Sequence, residues 1–492
     1  MSSSSSSSES LPPSPVLGDM TPEEFEIWGG RVVEWIGSYF REVEAHPVLA
    51  RVEPGEIRRR LSRDPPLRGQ SPSDLLEDFT EVILPGITHW NHPGFLAYFA
   101  ISGSGPGVLA EMLAAALNVN AMVWRTSPAA TELEEHVVGW MAGLLGLSSS
   151  TFGVIQDTAS SSSLVALAAA RHRAYPEVRE EGLFGLPRGR IYTSQEAHSS
   201  VEKAGIALGL GRRGVQRIGT DADFRMDTGE LEEVLDRDRR AGIRPVAIVA
   251  TVGTTSTTSC DPVADLVALA RSYDTWLHVD AAYAGAAALL PECAEHFKGW
   301  DEADSVVVNP HKWLFTQVDC SLLFTRHREL LRRTFSLTPE YLRTPEAEEV
   351  TQLMDYGLAL GRRFRSLKLW FVIRYFGVEG IRARVREHIE LARQFAGWVD
   401  EDARWLRVAP VPFSTVVFRF APADVTGKEA DELNRSIMED VNGRGDVFLS
   451  HTRVGDRVCL RVSVGHLRTE RVHMERCWEQ LREAAHERLR PL

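Results

Sequence analysis

From Thr21 onward, Phe25, Trp28, Val32, Trp35, Ile36 and Tyr39 recur at the spacing of one helical face. Thr21, Pro22, Glu23 and Glu24 just before them supply a capping hydroxyl, a first-turn proline and two acids for the positive helix end. A second apolar helix is predicted over 73–84, again with Ser ahead of Asp and Glu. Residues 87–107 break the pattern with Gly, Pro, His and aromatic side chains, a mixture suited to a binding surface.

The middle of the chain alternates short β-rich runs with Ala- and Leu-rich helical stretches. Strands are predicted at 153–155, 190–193, 245–251, 276–280, 305–308 and 321–325. Helices are predicted at 161–175, 199–208 and 262–272. Such alternation specifies an α/β fold with a mostly parallel sheet covered by helices. Past residue 370 the order changes to a long helix (378–399), a strand (414–420), a helix (428–441), a strand (458–464) and a closing helix (469–489). The expected organisation is a Ser/Pro-rich tail over 1–20, an N-terminal helical segment over 21–104, a large α/β domain over 105–370 and a small α+β domain over 371–492.

Composition narrows the class without choosing a function. The 492 residues are 43% hydrophobic and 25% charged, which excludes collagen, disulfide scaffolds and bulk disorder. No apolar run approaches the length of a bilayer span, so no membrane partner is expected. A net charge of −13 disfavours nucleic acid, whose phosphates demand basic surface. Ser2 to Ser8 lack the basic and apolar regions of a signal peptide. The five cysteines are odd in number and lack CxxC spacing, so neither disulfides nor a metal site is expected, and the cytoplasm is the expected location.

The chemistry gathers where predicted strands end. The run 305–308 leads into Asn309, Pro310, His311 and Lys312, and the run 276–280 ends on Asp280. Carboxyl ends of strands are where open α/β sheets bind ligands. A lone lysine after a strand is ordinarily a solvated surface residue, but this one has an aspartate at the matching end of another strand. Pyridoxal phosphate needs that combination: a lysine to join its aldehyde and an acid to keep its ring nitrogen protonated. Ala281, Ala282 and Gly285 are small enough to let a flat ring approach the backbone. Thr158, Ala159 and Ser160 open a helix straight after a strand, where unpaired N–H groups and hydroxyls suit a phosphate. Asp157 is an awkward neighbour for that anion. His198, before another predicted helix, could stack on the ring and touch a substrate carboxylate.

Together these segments resemble the group II pyridoxal-phosphate decarboxylases, and most nearly their aromatic-L-amino-acid decarboxylase branch. The resemblance is carried by Asn309 to Leu314, His278 to Gly285 and Gln195 to Ser200, and further by Thr88 to Phe99, Ser127 to Glu134, Gly153 to Gln156 and Gly361 to Lys368, in collinear order. It implies the aspartate-aminotransferase-like type I fold and a homodimer whose active sites lie at the subunit interface, the N-terminal helices packing on the partner. Lys312 would carry the cofactor, Asp280 would pair with its ring nitrogen and His198 would stack on it. Thr158, Ala159, Ser160, Thr255, Ala282, Asn309 and His311 would complete the cofactor site. Tyr341, in a segment similar to the family's catalytic loop, would protonate the substrate Cα. Trp90, Tyr98, Phe99, Ile101 and Gly361 would line the substrate pocket. Ile101 weighs against a catechol, and Gly361 leaves room for a large ring. The implied reaction is decarboxylation of an aromatic L-amino acid to its amine. The rivals are an aldehyde synthase, a decarboxylase of non-aromatic amino acids and a catalytically silent binding protein. Tyr341 and His198 favour plain decarboxylation over aldehyde formation.

Overall fold

The computed structural model describes residues 18–337 and 349–489, which divide into two compact units at His89/Trp90. In the first unit the helix Pro22–Glu42 begins with the expected capping box. Thr21 accepts from the Glu24 N–H and the Glu24 carboxylate accepts from the Thr21 N–H. The helix buries no residue and leaves Phe25, Ile27, Val32 and Val33 exposed. The second predicted helix is α-helical over Pro72–Asp78 and continues as a π-turn over Phe79–Ile83.

The second unit contains a seven-stranded sheet: β1 (Phe152–Gln156), β2 (Gly189–Ser194), β3 (Val215–Ile218), β4 (Arg244–Thr251), β5 (Trp276–Asp280), β6 (Ser305–Val308) and β7 (Ser321–Thr325). Their spatial order is β1-β7-β6-β5-β4-β2-β3. All pairs are parallel except those made by β7, which runs antiparallel to both β1 and β6. β4, β5 and β6 are almost continuously buried, as parallel strands covered on both faces must be. The short edge strand β3, Val-Gln-Arg-Ile, has too little apolar pattern to stand out in the sequence.

A second, antiparallel sheet has the order β10-β11-β9-β8, with β8 (Trp405–Arg407), β9 (Thr415–Phe420), β10 (Ser450–Val454) and β11 (Arg457–Ser463). Its core includes Phe395, Trp405, Phe418 and Trp478, contributed by the helices Arg365–Glu401 and Arg471–Leu489 as well as by strands. Residues 90–104, grouped by sequence with the N-terminal helices, belong to the second unit. Leu96 N–H donates to the Phe448 carbonyl, and Ser463 N–H donates to the Leu96 carbonyl. This stretch thus lies beside the C-terminal sheet, a long-range pairing that local pattern cannot reveal.

Candidate active site

The carboxyl ends of β4, β5 and β6 and the first turn of the helix Ala159–Ala174 enclose one cavity of about 170 Å³. Its walls include Thr158, Ala159, Ser160, His198, Thr255, Asp280, Ala282, Asn309, His311 and Lys312. Sequence reasoning had named all ten for a cofactor. Four residues it did not name for the cofactor also line the cavity: Phe99, Thr251, Gly253 and Tyr283. Gly253 adopts a φ of +88°, and a Cβ there would come within 2.6 Å of the Ala284 Cβ, so glycine is required at this turn.

Lys312 follows β6 on the one-turn helix Pro310–Trp313 and is half-buried in the cavity wall. Burial lowers its pKa; nearby Asp280 opposes the shift and Arg461 reinforces it. A larger fraction of uncharged amine, the nucleophilic form, follows. Asp280 is the last residue of β5, where its carboxylate accepts from the Ala282 N–H at 3.0 Å. His198 Nδ1 accepts from the Ser200 N–H at 3.2 Å and lies 2.9 Å from the Ser200 hydroxyl. The ring proton therefore belongs on Nε2. Burial lowers the His198 pKa as well, with Asp280 opposing.

Among the described residues lining the cavity, two buried polar atoms have no protein partner, Thr251 Oγ1 and Asn309 Oδ1. The Asn309 amide nitrogen sits 3.3 Å from His311 Nε2, while His311 Nδ1 accepts from the Cys320 N–H at 2.9 Å. That fixes a proton on His311 Nε2, so Asn309 satisfies its neighbour by presenting oxygen to it. The Asn309 NH2 group then becomes a donor in the cavity wall. Thr158 caps the adjoining helix by accepting from the Ser161 N–H, and the first-turn N–H groups of that helix provide more donors. Asp157 turns back onto the Thr158 N–H at 2.6 Å and lies near the Arg365 guanidinium, which offsets its charge. Neutral donors at one end, a carboxylate in the wall and a buried amine fit the phosphate, ring nitrogen and aldehyde of pyridoxal phosphate.

The sequence matches the model of the pyridoxal-dependent decarboxylase conserved domain over residues 54–421. The chain belongs to that family. It is 39% identical to tryptophan decarboxylase 2 of Oryza sativa subsp. japonica, covering 95% of this chain and 96% of that one. It is 38% identical to phenylacetaldehyde synthase of Arabidopsis thaliana, covering 96% and 97%. The crystal structure of Oryza sativa TDC with PLP and tryptamine superposes with a TM-score of 0.93 at 35% identity, covering 96% of this chain and all of that one. The fold is accordingly the type I fold that the resemblance implied, and the decarboxylase uses pyridoxal phosphate.

The expected substrate residues are more scattered in the single chain. Phe99 lines the cavity, stacked on Tyr283 at 3.8 Å between ring centroids. Trp90 and Tyr98 instead stack on each other at 6.0 Å, beside Phe95 and Phe448. Ile101 is half-buried outside the cavity lining, and Gly361 is exposed with Asn120 as its nearest neighbour. Tyr341 lies outside the described residues. One nearby cation was absent from the sequence reading: Arg461 of β11, whose guanidinium packs 4.4 Å from the Phe99 ring centroid. No pattern around Arg461 signals this placement, because the C-terminal sheet brings it there. Among the described residues no His/Cys/Asp/Glu cluster could hold a metal ion, and no helix is long and apolar enough to cross a membrane.

Proposed function

We propose that the protein decarboxylates an aromatic L-amino acid, releasing CO2 and the corresponding amine. The observation that carries this reading is the gathering of Lys312, Asp280 and His198 around one cavity whose wall also includes the Phe99–Tyr283 stack. Pyridoxal phosphate, when bound, supplies a protonated pyridine ring that accepts the electron pair left on Cα as the carboxylate departs. Lys312 would hold the cofactor aldehyde through its amine, and its Nζ would carry protons within the site. Asp280 keeps the ring nitrogen protonated. His198 directs its Nε2 proton to the substrate carboxylate, while its ring confines the reacting atoms from one side. Ala159, Ser160, Thr255 and Asn309 hold the phosphate through neutral donors, so Lys312 remains the one cation among the described residues lining the cavity. Phe99 and Tyr283 exclude water, which favours loss of a charged carboxylate as a neutral gas. Tyr341 returns a proton to Cα.

The working unit is a homodimer in the cytoplasm. Leu109, Met112, Leu113 and Leu117 are exposed on the helix Gly105–Leu117, an apolar face suited to a second copy. The aldehyde-forming alternative is kept by the likeness to a phenylacetaldehyde synthase. A screen of L-amino acids for CO2 release, with hydrogen peroxide measured in parallel, tests both readings. The expected result is CO2 from tryptophan, tyrosine or phenylalanine without stoichiometric peroxide. Holoenzyme should also absorb at roughly 420 nm through the lysine-bound cofactor, and Lys312→Ala should lose that band. No CO2 from any aromatic substrate would overturn the proposal.

A further inference from the structure

Of the four consecutive serines Ser160 to Ser163, only Ser160 lines the cavity. Ser162 and Ser163 are fully buried, and their hydroxyls are spent on the sheet. Ser162 Oγ meets Ser321 Oγ of β7 at 2.8 Å. Ser163 Oγ meets His278 Nε2 of β5 at 3.2 Å, and His278 Nδ1 meets Ser305 Oγ of β6 at 2.8 Å. The Trp276 indole donates to that same Ser305 oxygen at 2.8 Å. An indole only donates, so the Ser305 proton is available to His278 Nδ1, and the ring proton faces Ser163 on Nε2. The layer around this chain is otherwise apolar, with Val165, Ala166, Val249 and Trp276 among its members. A fully buried imidazole is costly there unless both nitrogens are satisfied, as they are. An apolar trio of the same shape would fill the layer without that risk, so the polar choice needs another reason.

We propose that His278 is a positioning residue that latches the start of the helix Ala159–Ala174 to β5 and β6, and so fixes the phosphate end of the cavity relative to Asp280 and Lys312. The inference rests on the proposed placement of the phosphate at this helix and adds the residue that holds the helix there. Ser163 lies one turn beyond Ala159 and Ser160, on the same side of the helix. Its partner His278 precedes Asp280 by two residues in β5, so the two side chains share one face of the sheet. Ser305, paired in register with His278, opens the strand whose exit carries Lys312. One imidazole thus joins the three elements that supply the phosphate donors, the acid for the ring nitrogen and the lysine. Apolar contact is non-directional, whereas hydrogen bonds of set length and angle resist sliding of the helix along the strands. The Ser162–Ser321 contact ties the same turn to β7.

Breaking the latch should cost the protein its preference for a phosphorylated cofactor. Full-length wild type, Ser163→Ala, His278→Leu and the double variant are stripped of cofactor. Each is then titrated with pyridoxal phosphate and with pyridoxal, which lacks the phosphate, and the absorbance of the lysine-bound form is followed. Each single change should weaken pyridoxal phosphate by about tenfold, the worth of roughly one hydrogen bond, and leave pyridoxal within about twofold of wild type. The double variant should be no weaker than the worse single change, because both remove one contact. Melting curves accompany each variant, and Ser163→Ala, which deletes a single oxygen, decides the matter if His278→Leu does not fold. A merely structural role would weaken both ligands alike. That result in folded Ser163→Ala, an unchanged preference for the phosphate, or additive losses in the double variant would overturn the inference. Release of CO2 from aromatic amino acids by wild type tests the decarboxylase reading separately, and the titrations need no turnover.

Discussion

Arg362 and Glu134 pair inside the large domain at almost no exposure, 6% and 2%. Arg362 Nη2 donates to Glu134 Oε1 at 2.6 Å and to the Ile155 carbonyl at 2.8 Å, while the Ile155 N–H donates to the same Glu134 oxygen at 2.9 Å. Both sides of one β1 residue are thereby held two positions before the turn Asp157–Ser160 that leads into the helix proposed to hold the phosphate. Arg362→Met strands a buried carboxylate with a single backbone donor. Breaking such a pair from one side costs about 3–5 kcal/mol. Replacing both partners leaves no buried charge, so Glu134→Leu/Arg362→Met should be less destabilised than the two single changes added together, by about 2 kcal/mol. Urea unfolding followed by tryptophan fluorescence gives the cycle. Dialysis followed by cofactor absorbance tests the functional side, since a loosened β1 should retain pyridoxal phosphate less well. Arg362→Met within about 1 kcal/mol of wild type, which is no more than an exposed charge pair is worth, would refute the reasoning, as would strictly additive changes.

Burial holds His278 and His311 neutral down to about 4 and His388 down to about 3. These folded-state values lie below the unfolded one, so the unfolded chain binds more protons as pH falls. Stability is therefore complete above about pH 6.5 and declines toward pH 4, by up to about 1.4 kcal/mol per pH unit for each histidine. His388 Nδ1 accepts from the Trp313 indole at 2.9 Å, so His388→Gln should flatten the pH dependence of the urea midpoint. An unaltered slope would exclude that histidine as a contributor. Tyr341→Phe should divert turnover, with O2 consumed, from amine toward aldehyde, ammonia and hydrogen peroxide. Unchanged amine yield would remove Tyr341 from the proton-return step.

The cofactor cavity was legible in the sequence because its parts are local. Each is a strand end followed by a turn, and parallel strands in one sheet present those ends along one edge. Lys312, Asp280 and the Thr158–Ser160 turn could therefore be grouped before any contact was known, whereas Thr255 and Asn309 came from resemblance alone. Arg461 could not, since its position depends on how the small antiparallel sheet meets the residues around Tyr98. Trp90 and Tyr98 were read as pocket residues from resemblance, yet within one chain they pack with Phe95 and Phe448. Residues 90–104, grouped by sequence with the N-terminal helices, pair instead with the C-terminal sheet, and a bridge between Phe95 and Phe448 leaves no periodic trace. The motif Gly361 to Lys368 carried resemblance without meaning until the fold supplied its partners. Arg362 clamps Glu134, Arg365 meets Asp319 at 2.8 Å, and the buried Lys368 amine meets Glu111.

The reversed strand β7 has a consequence for the lysine. β6 ends at Val308, β7 begins at Ser321, and Val308 pairs with Leu322. The segment carrying Lys312 is thus a leash tied at both ends to neighbouring strands in the interior of the sheet. Had the chain crossed over to a parallel strand, the exit from this segment would have run away across a helix to the opposite edge. Instead, both knots sit beside the cavity. On the proposed reading, a lysine that gave up the cofactor to substrate would stay on a tether fixed beside the cavity.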